Sequence, residues 1–487
     1  MKHLANEAGE ATEAAIGQAH AADSLKRSLG TVKLVVFVIA AVAPLAAVIG
    51  VLPVALVFGS GAALPLAFVL TTIVVALFCV GYSAISREVT SGGAFYIYIA
   101  KGLGRQVGLG SAFTAVVSYV TFVPGGLSYL GFVIHTLVLD MLGVDIHWLW
   151  FSGLSAIAVG LLGYQKLDFS SRLVLVLISL EFVLLLVFDS GIVFHLHAAS
   201  LPAQAMNFKA LLDGAPGVSL LLAFTCYFGI ESAALYSEEA QSPEKSVARS
   251  TYIAVALIGI FYFITSWITV GAIGPSNIRS IPEDPVGMIY FQLSEKYVGR
   301  VFTHIIQLAV ATSMFATVLS IHNVASRYIF VLGRQGCFPR RLGSIHPRFQ
   351  SPHVASVAVA LISATVVVVA AAFKVHPMLG LGTVALGFAA VGVMLMQVLT
   401  SLAVLAYFRT REPRNMWKHV IAPSLSLVGL AVGLAISLKN FEFLSGSNNA
   451  TINRLPYLLG IVLLGGIAYA GWLRKAHPTR FSSLRFN

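Results

Sequence analysis

Apolar runs long enough to cross a lipid bilayer recur along this chain at about 33–58, 62–86, 108–139, 147–164, 170–190, 217–237, 251–274, 300–332, 353–373, 379–408, 419–438 and 455–474. A spanning helix needs roughly 17–25 such residues, so the twelve runs predict twelve transmembrane helices. Hydrocarbon offers the backbone no hydrogen-bond partners, and a run of this length satisfies its own only as a helix. The expected fold class is therefore an all-α membrane protein. The third and eighth runs are longer than a bilayer needs, so they are expected to tilt or to project beyond it. Composition leaves little room for anything else. Only 10% of residues are charged and mean hydropathy is +0.86, where a soluble domain carries roughly 25% charged residues.

The net charge of +11 raises the question of nucleic acid, and its placement answers it. With the N-terminus inside, 24 of the 31 basic residues fall on the cytoplasmic side, and 7 (Lys209, Arg279, Lys296, Arg300, Lys374, Lys439 and Arg454) fall outside. That asymmetry is the usual topology signal, with anionic lipid as a partner for the basic face. It predicts a multi-pass protein of the plasma (inner) membrane with both termini cytoplasmic and no nucleic-acid role. The expected organisation is a cytoplasmic tail over 1–32, a permease domain over 33–474 and a second cytoplasmic tail over 475–487. Cys79, Cys226 and Cys337 have neither disulfide nor zinc spacing. No nucleophile–base pair or metal cluster is evident, so no enzyme, metal or cofactor is expected.

Two spans are interrupted. The first reads Ala43-Pro44-Leu45-Ala46-Ala47-Val48-Ile49-Gly50 at its middle, and proline there removes a donor and clashes with the preceding turn. The sixth reads Phe224-Thr225-Cys226-Tyr227-Phe228-Gly229-Ile230-Glu231 and places glycine and an acid deep in the membrane. Broken helices at matching places in two halves point to a secondary transporter with inverted repeats. Repeat one would cover 33–190 and repeat two 217–408, with two further helices over 419–474. This is a five-plus-five inverted repeat with helices 1 and 6 broken. Half-helix N-termini suit a substrate carboxylate, and freed carbonyls suit an amine or an ion.

Three cytoplasmic loop motifs follow. They are Gly92-Gly93-Ala94-Phe95-Tyr96-Ile97-Tyr98, then Glu238-Glu239 after the Phe228-Gly229-Ile230-Glu231-Ser232 segment, then Ser326-Arg327 with Gly333-Arg334-Gln335-Gly336 and Pro339. In this order, with the broken spans, the chain resembles the amino acid–polyamine–organocation (APC) transporter superfamily from about Lys33 to Trp472. The resemblance implies a twelve-helix permease with alternating access. It also implies a substrate site between broken spans 1 and 6, walled by spans 3, 8 and 10, and transport of amino acids or amines by proton coupling or exchange. Many amino acid members carry a Gly-Ser-Gly-like turn in span 1. The Ala-Pro form here is similar instead to amine and polyamine members and to a set of uncharacterised permeases.

Candidate substrate-binding residues are therefore Ala43, Pro44, Leu45, Ala46 and Ala47 of span 1, Tyr119 of span 3, and Phe224, Tyr227, Phe228, Gly229, Ile230 and Glu231 of span 6. For each aromatic the plain alternative is helix packing. Glu231 and Glu181 are the candidates for proton coupling, because an intramembrane acid is functional by default. Glu231 could instead brace the helix break, and Glu181 could be a protonated packing residue. Thr312 and Ser313 resemble a hydroxyl pair that helps hold sodium in sodium-coupled relatives, although membrane hydroxyls more often bond backbone. Tyr96 and Tyr98 read either as an inner gate or as an interfacial anchor. Glu238, Glu239, Lys245 and Arg249 read as a cytoplasmic latch. The expected function is proton-coupled amino acid uptake. The alternatives are polyamine or cationic-amine import, amino acid/amine exchange, or a channel or sensor on the same fold. No motif decides between monomer and homodimer.

Overall fold

The computed structural model describes residues 29–89, 93–165, 167–281, 286–412 and 415–484. The N-terminal tail up to residue 28, Gly92 of the first loop motif and the last three residues lie outside the described residues.

The first apolar run folds as three short helices in succession, α1 (Thr31–Val42), α2 (Pro44–Gly50) and α3 (Leu52–Phe58). Next come α4 (Leu64–Glu88), α5 (Ala94–Leu103), α6 (Arg105–Leu142), α7 (Trp148–Tyr164) and α8 (Leu167–Leu196). The sixth run is α9 (Pro216–Thr225), continued after a turn by a 3-10 helix over Ile230–Glu239. Then follow α10 (Pro243–Ile273), α11 (Ile289–Tyr297), α12 (Arg300–Arg334), α13 (His353–Ala372), α14 (Thr383–Tyr407), α15 (Ala422–Lys439) and α16 (Tyr457–Ala476).

Eleven helical segments among the described residues are long and apolar enough to cross a membrane, where the sequence predicts twelve. The difference is α7. It has 17 residues, begins at a cap in which His147 accepts the Leu149 N–H, and ends where Gln165 turns extended. At 1.5 Å per residue it is about 26 Å long, slightly under the ~30 Å of hydrocarbon. Its Trp150, Leu154, Ile157 and Leu161 nevertheless form an exposed apolar stripe at helical spacing. The long third and eighth runs are as expected, at 38 and 35 residues.

α6 is the hub of the bundle and packs against α5, α7, α12, α14 and α16. α4 packs along α10, and α8 packs against α1 and α12. The two interrupted segments are the most enclosed of the spans, while α15 and α16 are among the least. α5 has no counterpart among the predicted spans. Its Phe95, Tyr96, Ile97, Tyr98 and Ile99 are all buried. The interfacial-anchor reading of Tyr96 and Tyr98 therefore does not hold, because both rings lie inside the bundle.

The interruption in span 1 falls at Ala43, which is left-handed with φ 55°. A proline disfavours the helical region for the residue before it, and Pro44 accounts for the break. Leaving the helix this way costs a non-glycine residue about 1–2 kcal/mol. Hydrogen bonds on both sides hold it, from Ala43 N–H to the Ile39 carbonyl at 3.2 Å and from Ala47 N–H to the Ala43 carbonyl at 2.9 Å.

Candidate functional site

Span 6 breaks at Gly229, with φ 96°. A side chain there would be strained, and its Cβ would sit 2.7 Å from Ala41 Cβ and 3.3 Å from the Ala41 carbonyl oxygen. The two breaks therefore touch backbone to backbone, and only glycine permits the approach. α12 completes the junction. Thr317 Oγ1 donates to the Ala40 carbonyl at 2.9 Å and Ser320 Oγ to the Phe37 carbonyl at 3.0 Å. These hydroxyls satisfy carbonyls of α1 that lie near the break.

Beside the breaks lies a cavity of about 760 Å³. Ala43, Ala46, Ala47, Phe122, Phe228 and Thr317 line its foot, and Phe58, Thr383, Glu442 and Asn448 lie toward its mouth. The mouth opens at one end of the bundle, called here the vestibule side. Phe228 stacks on Phe122 with ring centroids 4.9 Å apart and nearly parallel. On its other flank Phe228 meets Tyr119 at 5.8 Å, and Tyr119 stacks on Tyr328 at 5.3 Å. Behind this aromatic floor Tyr119 Oη donates to Glu231 Oε1. Glu231 is fully buried, with Gln397 of α14 alongside. Tyr82 Oη donates to its backbone carbonyl at 2.8 Å. Its Oε2 and the Tyr328 hydroxyl have no hydrogen-bond partner among the described residues.

Glu181 meets the other break. Its Oε2 accepts the Leu45 N–H, one of the orphan donors at the start of α2, at 3.2 Å. Ser313 of α12 lies beside it. Thr312 does not join this group. Adjacent helical residues point about 100° apart, so Thr312 lines a separate apolar groove with Leu137, Leu173 and Leu308, and its hydroxyl bonds the Ala309 carbonyl. The expected Thr312–Ser313 pair is thus not brought together.

Other expectations are also redistributed. Ala43, Ala46, Ala47 and Phe228 line the cavity. Pro44, Leu45 and Ile230 are buried beside it, with Leu45 turned to Glu181 through its N–H. Phe224 packs on Gly433 of α15, and Tyr227 turns to α4, where its hydroxyl meets Thr72 at 2.5 Å. Neither aromatic lines the cavity: Phe224, still within α9, faces α15, and Tyr227 lies past Thr225, where the chain has left the helical period that sets which way side chains face. The sequence reading missed Phe122, Tyr129, Thr317, Tyr328 and Gln397. The first two were reachable, since Tyr119, Phe122 and Tyr129 recur at i, i+3 and i+10 on one face of α6.

The far end of the bundle, the latch side, is closed. Arg327 Nη2 donates to Glu239 Oε1 at 2.6 Å with both side chains buried, and its guanidinium lies 4.4 Å from the Tyr236 ring centroid. Arg334 pairs with Glu238 at 3.3 Å in a more exposed position. Of the latch foreseen at Glu238, Glu239, Lys245 and Arg249, the two acids thus take these partners from α12. Gln335 donates to Tyr96 Oη at 2.7 Å, which ties α5 to the same side. Leu29 and Ala240 form a parallel bridge between the start of span 1 and the end of span 6.

Comparison with known proteins identifies the family. The family model described as amino acid permease matches residues 29–467. The chain is 25% identical over 309 residues to the branched-chain amino acid permease BcaP of Lactococcus lactis, covering 59% of this chain and 64% of that protein. It is 23% identical over 155 residues to BcaP of Bacillus subtilis, 32% of this chain and 31% of the relative. It is 22% identical over 362 residues to the low-affinity putrescine importer PlaP of Escherichia coli K12, 72% of this chain and 75% of the relative. The matches thus span from about a third to three quarters of these relatives' lengths. The chain, a multi-pass bundle that the family model covers almost end to end, belongs to the amino acid permease family of the APC superfamily.

Proposed function

We propose that this permease takes up an amino acid across the plasma membrane, driven by protons, through alternating access. The observation that carries the reading is the meeting of the two breaks at the foot of the cavity, with a buried acid against each. Glu231 belongs to the break in span 6, and Glu181 caps the break in span 1. In this reading α7 is a twelfth crossing and the bundle is a five-plus-five inverted repeat. Both termini lie in the cytoplasm, so the vestibule side faces outward. Substrate settles on Ala43, Ala46, Ala47 and Phe228. Proton binding at Glu231 and Glu181 removes the charge each acid would otherwise carry through the membrane, and the latch then opens as the vestibule closes. The branched-chain permeases among the relatives favour a neutral, apolar amino acid, in keeping with the alanine-lined foot.

A second reading is import of a cationic amine. Pro44 has no N–H and the Leu45 N–H is spent on Glu181, which leaves few donors at the start of α2 for a carboxylate. Glu442 is the charged residue among those lining the cavity, and the putrescine importer is among the relatives. Glu231 would then hold the ammonium itself. Uptake of labelled leucine and of putrescine into proteoliposomes, with and without an inside-alkaline pH gradient, separates the readings. Leucine accumulation that needs the gradient supports the first. Putrescine uptake abolished by Glu231→Gln, with leucine uptake spared, supports the second. Exchange of either solute that ignores the gradient would sink proton coupling, and stimulation by sodium alone would replace it.

A further inference from the structure

Asp189 is a buried acid for which the transport cycle above has no use. It lies on α8 eight residues beyond Glu181, about 12 Å further along the helix toward the vestibule side, and is 7% exposed. Thr265 Oγ1 of α10 donates to its Oδ2 at 2.7 Å, while Oδ1 has no partner among the described residues. Tyr290 of α11 lies close by, and its hydroxyl accepts from Thr269 Oγ1 at 3.0 Å. Toward Glu181 stands Tyr262 of α10. It is fully buried, within electrostatic reach of Glu181, and its hydroxyl has no partner among the described residues.

These groups form a file. Tyr262, Thr265 and Thr269 fall at i, i+3 and i+7, on one face of α10. Glu181, Leu185, Phe188, Asp189 and Ile192 are the buried face of α8 that packs against it. The charged and imidazole groups near the vestibule ends of the neighbouring elements are His195 on α8, Glu295 and Lys296 on α11, and Arg300 and His304 on α12; Glu244, Lys245 and Arg249 of α10 and His322 and Arg327 of α12 lie toward the latch side. His195 Nδ1 meets the Gly191 carbonyl, and Lys296 lies over the Tyr297 ring. No ion pair joins Asp189 to any of them among the described residues. A lone carboxylate out of water is costly unless it exchanges a proton, and acids in such positions mark proton paths.

Resting on the proton-coupled reading above, we propose that Asp189 loads protons from the vestibule side and passes them through the hydroxyls of Thr265 and Tyr262 to Glu181. Asp189 takes a proton from water at the vestibule end. It releases that proton to a hydroxyl that gives up its own in the same direction, and Glu181 receives the last one. Each hydroxyl gains and loses one proton, so the net change is deprotonation of Asp189 and protonation of Glu181. Rotation of the Tyr262 hydroxyl or a bridging water closes the gaps.

The test uses the full chain in proteoliposomes and whichever of labelled leucine or putrescine the wild type accumulates. Two modes are compared, accumulation driven by a pH gradient and counterflow at equal pH. Asp189→Asn should cut gradient-driven accumulation by about tenfold or more, flatten its dependence on vestibule-side pH and leave counterflow little changed. Asp189→Glu should restore the pH response. Thr265→Val and Tyr262→Phe, which keep the acid and decide the matter if Asp189→Asn fails to fold, should slow accumulation in the same selective way. A normal gradient response in Asp189→Asn, or in both hydroxyl variants, would overturn the relay. So would equal loss in both modes without rescue by glutamate. If Glu181→Gln alone abolishes the response, coupling through Glu181 stands and only the relay falls. If the wild type performs counterflow yet ignores the gradient, the proton-coupled reading fails and takes the relay with it.

Discussion

Gly229 has the least freedom to change. Adding one methyl would both strain a left-handed backbone, at about 1–2 kcal/mol, and press on Ala41, at about 1–3 kcal/mol more. Gly229→Ala should therefore lower the thermal midpoint in detergent and abolish uptake, and an unchanged midpoint would show that the breaks do not depend on this contact. Tyr119→Phe removes only the hydroxyl that donates to Glu231. A hydrogen bond to a charged partner contributes about 1.5–3 kcal/mol, so apparent affinity or turnover should fall about tenfold or more, and pH-gradient-driven uptake of the substrate measures it. Several residues of this site were legible in the sequence because their reasons are local. Pro44 forces the break beside it, Gly229 allows the next one, and an acid amid apolar neighbours stands out as Glu231 and Glu181 do. Tyr227 was misplaced because a broken helix forgets its phase, and facing cannot be extrapolated across it; Phe224 was misplaced because its helix turns that face to α15. Asp189 went unnoticed because it sits near the end of its apolar run, where a charge looks ordinary until α10 and α11 are seen to cover it.

Helices set the larger limits. A run of twenty apolar residues announces itself, and the bounds of α12, α13 and α16 lie within two residues of the sequence expectation. α5 did not announce itself, since its ten residues are too few to span and only the fold reveals that the bundle buries them. Two ion pairs of unequal value tie span 6 to α12 at the closed end of the bundle. The buried Arg327–Glu239 pair is the one whose loss matters, because removing one partner of such a pair costs about 3–5 kcal/mol. The more exposed Arg334–Glu238 pair contributes at most about 1 kcal/mol. In a background where Cys226 and Cys337 are replaced, Glu239→Gln should speed alkylation of the buried Cys79 from the latch side, and Arg334→Ala should not. Equal labelling in both variants would remove the buried pair from the gate.

At the scale of the whole molecule, charge and hydropathy predicted the sidedness, and the structure adds which end is open. A cysteine-reactive probe that cannot cross membranes, applied to intact cells, should reach a cysteine placed at Asn448 by the cavity mouth and should not reach one at Ser344 on the opposite end. The reverse result would invert the transporter in its membrane. One contact bears on how such a body can move. Leu29 N–H donates to the Glu239 carbonyl at 3.0 Å and Gln241 N–H to the Leu29 carbonyl at 2.9 Å. The hydrogen bonds of this strap are main chain to main chain, and the Leu29 side chain is buried with Phe37, Tyr236 and Ala240 beside them. Proline at residue 29 or 241 would delete one of these amide hydrogens and cut the strap. While the strap holds, the two broken segments are hinged to each other at one end, and whatever motion empties the cavity must carry both as a single lever.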